Sequence, residues 1–289
     1  MPDVRKRRLE NTDGPFYVDS TCIDCDACRW IAPASFREVD GQSAVYAQPP
    51  DEAARFAALQ ALVACPTASI GVTDKALQAR TKDAVASFPR VLDANVFHCG
   101  FHAESSFGAA SWFIQRPGGN VMVDSPRFAS PLVKRIEAMG GIKTLFLTHI
   151  DDIGDHEKWA RHFGCQRVMH ADDARGLDIE VKLQGRAALK LDSELTVIPT
   201  PGHTRGSACL LYADKYLFTG DHLAWSPRRG HLAAFRDACW YSWDELKVSM
   251  QGLTAYSFEW VLPGHGRIHH ANRDQMAQAL QQCMAWMDR

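Results

Sequence analysis

The chain has 289 residues, long for one domain and comfortable for two, with 46% hydrophobic and 10% aromatic residues to fill a core and a formal charge of -2. This balance excludes a disordered chain, gives no electrostatic reason to expect nucleic acid, and leaves no stretch near the ~18 apolar residues of a membrane span. A small-molecule substrate and a protein redox partner are the better expectation.

The chain opens on a basic segment, residues 1–14, with Arg5, Lys6, Arg7 and Arg8 followed by a polar run that lacks the apolar core of an export signal. It reads as a solvated tail. Next come Cys22, Cys25 and Cys28, and later Cys65 followed at once by Pro66. A bacterial ferredoxin run is C-x2-C-x2-C-x3-C-P, in which the fourth cysteine serves the other cluster of a two-cluster protein. Here that fourth position is Ala32, still followed by Pro33, so the second cluster has lost its ligand and Cys65 is left to close a four-thiolate shell. One [4Fe–4S] cluster is the economical count. The alternative, a structural zinc knot, favours two separated C-x2-C pairs. A cluster implies a reducing, cytoplasmic setting, in which Cys99, Cys165, Cys209, Cys239 and Cys283 are free thiols.

The stretch 16–72 resembles single-cluster bacterial ferredoxins. Its flanking runs, 16–18 and 69–72, are expected to pair as short strands. Apolar residues at helical spacing over 51–64 (Ala54, Phe56, Leu59, Leu62, Val63) predict a helix that returns the backbone to Cys65. The expected organisation is a ferredoxin-like domain over 15–74, a linker or short helix over 75–89, and a second domain over 90–289.

In that second domain, short apolar runs at 111–114, 121–123, 144–147, 195–198, 209–212 and 216–218 alternate with Gly, Pro and Asp turns and read as strands. Helical patterns occupy 156–163, 243–253 and 275–287. Clusters of His and Asp follow the strands: His149-Ile-Asp151-Asp152-Ile-Gly-Asp155-His156, then His203 in Pro-Gly-His-Thr, Asp221 in Gly-Asp-His222, and His265 in Pro-Gly-His-Gly. Turns at strand ends bring such side chains into one rigidly held pocket, as a metal site requires.

On these motifs, residues from Val91 onward resemble the metallo-β-lactamase superfamily, which implies an α+β architecture with an αββα sandwich and two bound metals. By that resemblance His149 and His203 serve the first metal, Asp155, His156 and His265 the second, and Asp221 bridges them; Asp221 and Asp155 would be the catalytic carboxylates. The chain departs from the family pattern where the second histidine of H-x-H-x-D-H is expected. Asp151 stands there, two extra residues precede Asp155, and either Asp151 or Asp152 is the ligand, Asp151 keeping the His-x-ligand spacing. A carboxylate oxygen is harder than imidazole nitrogen and moves preference from zinc towards iron or manganese. In this respect the motif is similar to the di-iron members of the superfamily, such as flavodiiron proteins.

Two functions follow. In the first, the binuclear site holds non-haem iron and exchanges electrons with the cluster. In the second, zinc or manganese activates a hydroxide that attacks an ester, thioester, lactone or phosphoester, and the cluster is structural or sensing. A head-to-tail homodimer would let electrons pass between chains. His98, Cys99 and His102 line the site or face the cluster domain, or belong to a packed loop. Trp240 and Trp243 form a pocket wall or pack at a helix start. Arg228, Arg229 and Arg236 bind an anionic substrate or only solvate their segment, and Arg267, His269 and His270 are placed to support His265.

Overall fold

The computed structural model describes residues 2–289. Phe16–Val18 pairs antiparallel with Ile70–Val72, setting Phe16 opposite Val72 and Val18 opposite Ile70. This closes the ferredoxin-type unit, as its flanking sequence runs imply. Between these strands lie the helices Ala27–Ile31 and Glu52–Ala64 and a hairpin, Phe36–Val39 with Gln42–Val45. The hairpin escaped the sequence reading. Its turn residues Asp40 and Gly41 both take the positive φ that a tight two-residue turn demands.

Residues 2–14 are exposed at most positions, as a solvated tail would be, but two side chains tie them down. Arg8 is buried and donates to the carbonyls of Ser43 and Val39 at 2.8 and 2.9 Å, and the Asn11 side chain accepts from the amides of Val18 and Val45. The segment thus ties the first strand to the hairpin. What composition marked as solvated charge is in part a set of partners for backbone groups that would otherwise be buried unpaired. Residues 75–86 form a helix, Lys75–Ala86, capped by Asp74, whose side chain accepts from the amide of Leu77.

Two sheets follow. The first has seven strands in the spatial order Val181–Leu183, Gln166–His170, Thr144–Phe146, Val121–Val123, Trp112–Ile114, Val96–His98 and Arg90–Asp93. The second runs Leu189–Lys190, Leu195–Pro199, Ala208–Tyr212, Tyr216–Gly220, Trp260–Pro263 and His269–His270. Alternation along each strand sorts side chains between faces. Trp112, Ile114, Val121, Val123 and Phe146 join Val197, Leu210, Phe218 and Leu262 in the core between the sheets. Phe113, Met122 and Leu145 point the other way, into a core shared with the helices Ser130–Ala138 and His156–Phe163 and with the ferredoxin unit. Behind the second sheet, Cys209, Leu211, Leu217 and Val261 pack with Leu246, Met250, Met276 and Leu280 of the helices Trp243–Gly252 and Arg273–Met287. The layers are therefore helix, sheet, sheet, helix, with the ferredoxin unit on the outer face of the first sheet. Among the described residues no helix is long and apolar enough to cross a membrane.

Candidate metal centres

The four cysteines of the N-terminal motif meet around one cavity lined also by Val18, Ile70, Thr67 and Ser69. Asp24 and Asp26 flank Cys25 with positive φ, which curls the loop so that successive thiols face inward. The amide of Ser43 donates to Cys22 Sγ at 3.4 Å and that of Ser69 to Cys65 Sγ at 3.3 Å. Burial pushes the Cys25 thiol up to about 12 and that of Cys28 higher still. Four converging sulfurs with backbone N–H donors fit an iron–sulfur cluster, which takes thiolates and is tuned by such hydrogen bonds. All nine cysteines are free of disulfides.

The second centre sits where the strands ending at Phe146, Pro199, Gly220 and Pro263 deliver their loops to one edge of the sandwich. His149 Nε2 lies 3.8 Å from Asp221, 3.9 Å from Asp152 and 4.0 Å from Asp151, each at Oδ2. His203 Nε2 is 3.1 Å from Asp151 and 3.8 Å from Asp221. On the other side of Asp221, His265 Nδ1 stands 2.9 Å from both carboxylate oxygens. His149 is fully buried and its Nε2 has no hydrogen-bond partner; the same is true of both oxygens of Asp152.

Buried polar atoms without partners are costly, and a cation between them removes the cost. Burial lowers the His149 imidazole to about 4, leaving a neutral nitrogen lone pair. Burial and then the Asp221 charge push Asp152 well above the usual carboxylate range. Burial also opposes charge on His265, yet Asp221 beside it raises its pKa to about 10. The residues fit a two-metal site: His149, Asp151, His203 and Asp221 on one side, Asp152, His265 and Asp221 on the other. Backbone space enforces the arrangement, since a Cβ on Gly264 would come within 2.3 Å of Asp152 Oδ2 and 3.0 Å of Asp221 Oδ1.

Asp155 and His156 do not join this site. The Asp155 carboxylate accepts from the amide of Phe128 and from Lys158 Nζ, each at 2.7 Å, while His156 Nδ1 faces the Arg167 guanidinium at 3.3 Å. The physical reason is the short 3-10 turn Ile150–Asp152, which the two extra residues make room for. It rotates Asp152 inward and lets Asp155 and His156 begin the helix that follows. Asp151, 45% exposed, opens onto the cavity, while Asp152 is fully buried, so both carboxylates between which the sequence left a choice reach the site.

Supporting residues came from outside the motifs. Thr148 Oγ1 lies 2.9 Å from His149 Nδ1 and donates to the buried Asp124 at 3.0 Å. Asp173 accepts from the amide of Ile150, the hydroxyl of Thr204 and the amide of Gly206, pinning two ligand loops together. Neither aspartate belongs to a periodic pattern, and nothing in sequence marked them. Of the residues expected to support His265, Arg267 instead pairs with Asp26 of the cluster loop at 3.0 Å. His269 and His270 stack on Trp225 and Trp260. Trp240 and Arg228 line the cavity above the site, and Trp243 packs behind it against Trp286. That cavity, about 1250 Å³, is walled by Cys25, Asp26 and Phe107 as well as by Asp151, Asp152, His203, Asp221 and His265.

Residues 18–72 match the family described as the 4Fe-4S single cluster domain of Ferredoxin I. A hydroxyacylglutathione hydrolase of Rhodospirillum rubrum is 33% identical over 157 residues, 52% of this chain and 59% of that protein. One of Citrobacter koseri is 32% identical over 117 residues, 39% of this chain and 46% of that protein. The chain thus spans about half the length of these curated relatives. Among solved structures, VMB-1 superposes with a TM-score of 0.53 at 17% identity, covering 68% of this chain and 94% of that one. The B3 metallo-β-lactamase BLEG-1 superposes with a TM-score of 0.53 at 16% identity, covering 67% of this chain and all of the other. The chain carries a single-cluster ferredoxin-type domain followed by a metallo-β-lactamase fold.

Proposed function

We propose that this protein is a redox metalloenzyme in which the ferredoxin unit exchanges electrons with a binuclear metal centre, iron for preference, held by His149, Asp151, Asp152, His203, Asp221 and His265. One observation carries the reading: Cys25, a thiolate ligand of the cluster, and five of these metal-binding residues wall the same cavity. A purely structural cluster has no need to open onto the reaction space. The donor set points the same way, because three carboxylates among six residues make a hard, oxygen-rich site. When bound, the metal pair would supply Lewis acidity and, as iron, one-electron chemistry. The chain's own residues bind and orient: Phe107, Phe235 and Trp240 offer apolar walls to a small organic substrate, and Arg228 offers a cation for an anionic part of it.

A second reading is hydrolysis of an ester or thioester by zinc or manganese, with the cluster structural or sensing. It is favoured by the hydroxyacylglutathione hydrolases among the relatives. Metal and acid-labile sulfide analysis of anaerobically purified protein separates the two. One cluster accounts for about four irons and four sulfides; roughly two further irons per chain support the redox reading, and two zincs in their place overturn it in favour of hydrolysis.

A further inference from the structure

We propose that the Phe107–Gly108 segment is the bridge that keeps the cluster and the metal pair in electronic contact, and that His102, itself held by His98, is the positioning residue that clamps it. The proposal deepens the redox reading and rests on it. Gly108 takes a φ of +82°, and a Cβ there would lie 2.7 Å from Cys25 Cβ and 2.8 Å from its Sγ, so only glycine lets the backbone approach the cluster ligand this closely. Phe107 also has positive φ, +47°, and its carbonyl accepts from His265 Nε2 at 3.3 Å. Two consecutive residues therefore touch a ligand of each centre.

The clamp lies behind them. His102 Nδ1 is 2.7 Å from the Gly108 carbonyl, which only accepts, so that nitrogen carries the proton. His102 Nε2 lies 2.8 Å from His98 Nε2. With its proton on Nδ1, a neutral His102 accepts at Nε2 and His98 donates from its own Nε2. Burial favours this uncharged pair by lowering both imidazoles, His102 to about 4. The pair is anchored in the cluster unit: Trp30, two residues past Cys28, packs 4.8 Å from the His98 ring, and the His102 amide donates to the carbonyl of Ala64, which precedes Cys65. Two polar rings fill a core position, His98 donating to His102 and His102 donating to the Gly108 carbonyl, and this relay fixes the height of that carbonyl. In the transfer this serves, one electron leaves the cluster and one reaches the metal pair, and an external one-electron donor restores the cluster.

The test uses full-length protein loaded with iron at both centres, reduced by a photochemical one-electron donor, while reoxidation of the cluster is followed by absorbance. The variants are H102L, H102Q, whose amide restores the donor to Gly108, and H98F, which supports the test should H102L lose its cluster. The expected result is a rate slowed roughly tenfold or more in H102L, by analogy with the loss of an outer-shell partner, and largely restored in H102Q, with iron and sulfide content unchanged. Imidazole 15N spectra of protein with zinc at the pair should show His102 protonated on Nδ1 and His98 on Nε2. An unchanged rate in H102L, or the opposite tautomers, overturns the bridge alone. No cluster reoxidation in the wild-type protein overturns the redox reading and the bridge with it.

Discussion

Replacing Asp152 by Asn should cripple metal binding, whereas the same change at Asp155 should not. The Asp152 side chain is fully buried, neither oxygen has a protein partner, and His149 stands 3.9 Å away while the Asp221 charge opposes ionisation. With a cation bound beside it Asp152 would be one member of a buried charge pair, whose removal costs about 3–5 kcal/mol, and at 1.36 kcal/mol per power of ten this corresponds to roughly two to four powers of ten in metal affinity. Asp155 differs. Its pairing with Lys158, 61% exposed, is worth ~0–1 kcal/mol, and an Asn oxygen retains the bond from the Phe128 amide. D155N should therefore bind metal within about tenfold of wild type. Competition against a chelating dye under anaerobic conditions, with metal counted after gel filtration, measures both variants. Equal losses in D152N and D155N would refute the reasoning and place residues 155–156 among the ligands.

Four further outcomes are expected. Asp173→Asn, which weakens the tie between the 149–152 and 203–207 loops, should lower metal affinity by roughly 10–100-fold without changing the cluster, as dye competition and the visible spectrum will report. Arg8→Ala removes two charge-assisted bonds to backbone carbonyls, one of them the buried carbonyl of Ser43, whose amide meets Cys22 Sγ; it should cost about 1.5–3 kcal/mol in denaturant unfolding, whereas Arg5→Ala at the exposed surface should leave the unfolding midpoint unmoved. Gly264→Ala should fold yet lose metal, because its methyl group would occupy the space of the Asp152 carboxylate. The buried imidazoles set an acid limit: His98 faces Arg90 and His102, and His102 faces Arg127 and His265, and burial holds both rings below their usual range. The unfolded chain then binds more protons than the native one below pH 6.5, so stability falls as pH drops from about 6.5 towards 4. H98F should flatten that slope in urea titrations, and an unaltered slope would show that other groups set it.

The ferredoxin unit was legible because cluster ligation demands cysteines at fixed spacing, and the sandwich because alternation along 112–114, 121–123 and 144–146 assigns each side chain to one of two cores. The helices His156–Phe163, Trp243–Gly252 and Arg273–Met287 were legible for the same reason of periodicity. The edge strands Arg90–Asp93 and Val181–Leu183 were not, since half-exposed short strands carry little apolar signal. The convergence of His149, His203, Asp221 and His265 was legible from motif, because each follows a strand end. Asp155 and His156 were expected beside them and lie outside this cluster, because a two-residue insertion has no register in sequence. Only the 3-10 turn reveals that Asp152 faces inward. The Arg8 and Asn11 contacts were hidden for another reason: composition counts charges but does not say which ones find a buried carbonyl.

The most direct test of the central claim is a redox titration of 57Fe-enriched protein followed by Mössbauer and EPR spectroscopy. Electron exchange between the two centres predicts two iron environments, a four-iron cluster and a separate pair, with reducing equivalents added to the cluster appearing also in the pair. A single cluster signal, with diamagnetic zinc at the second centre and ester hydrolysis indifferent to the oxidation state of the cluster, would contradict it.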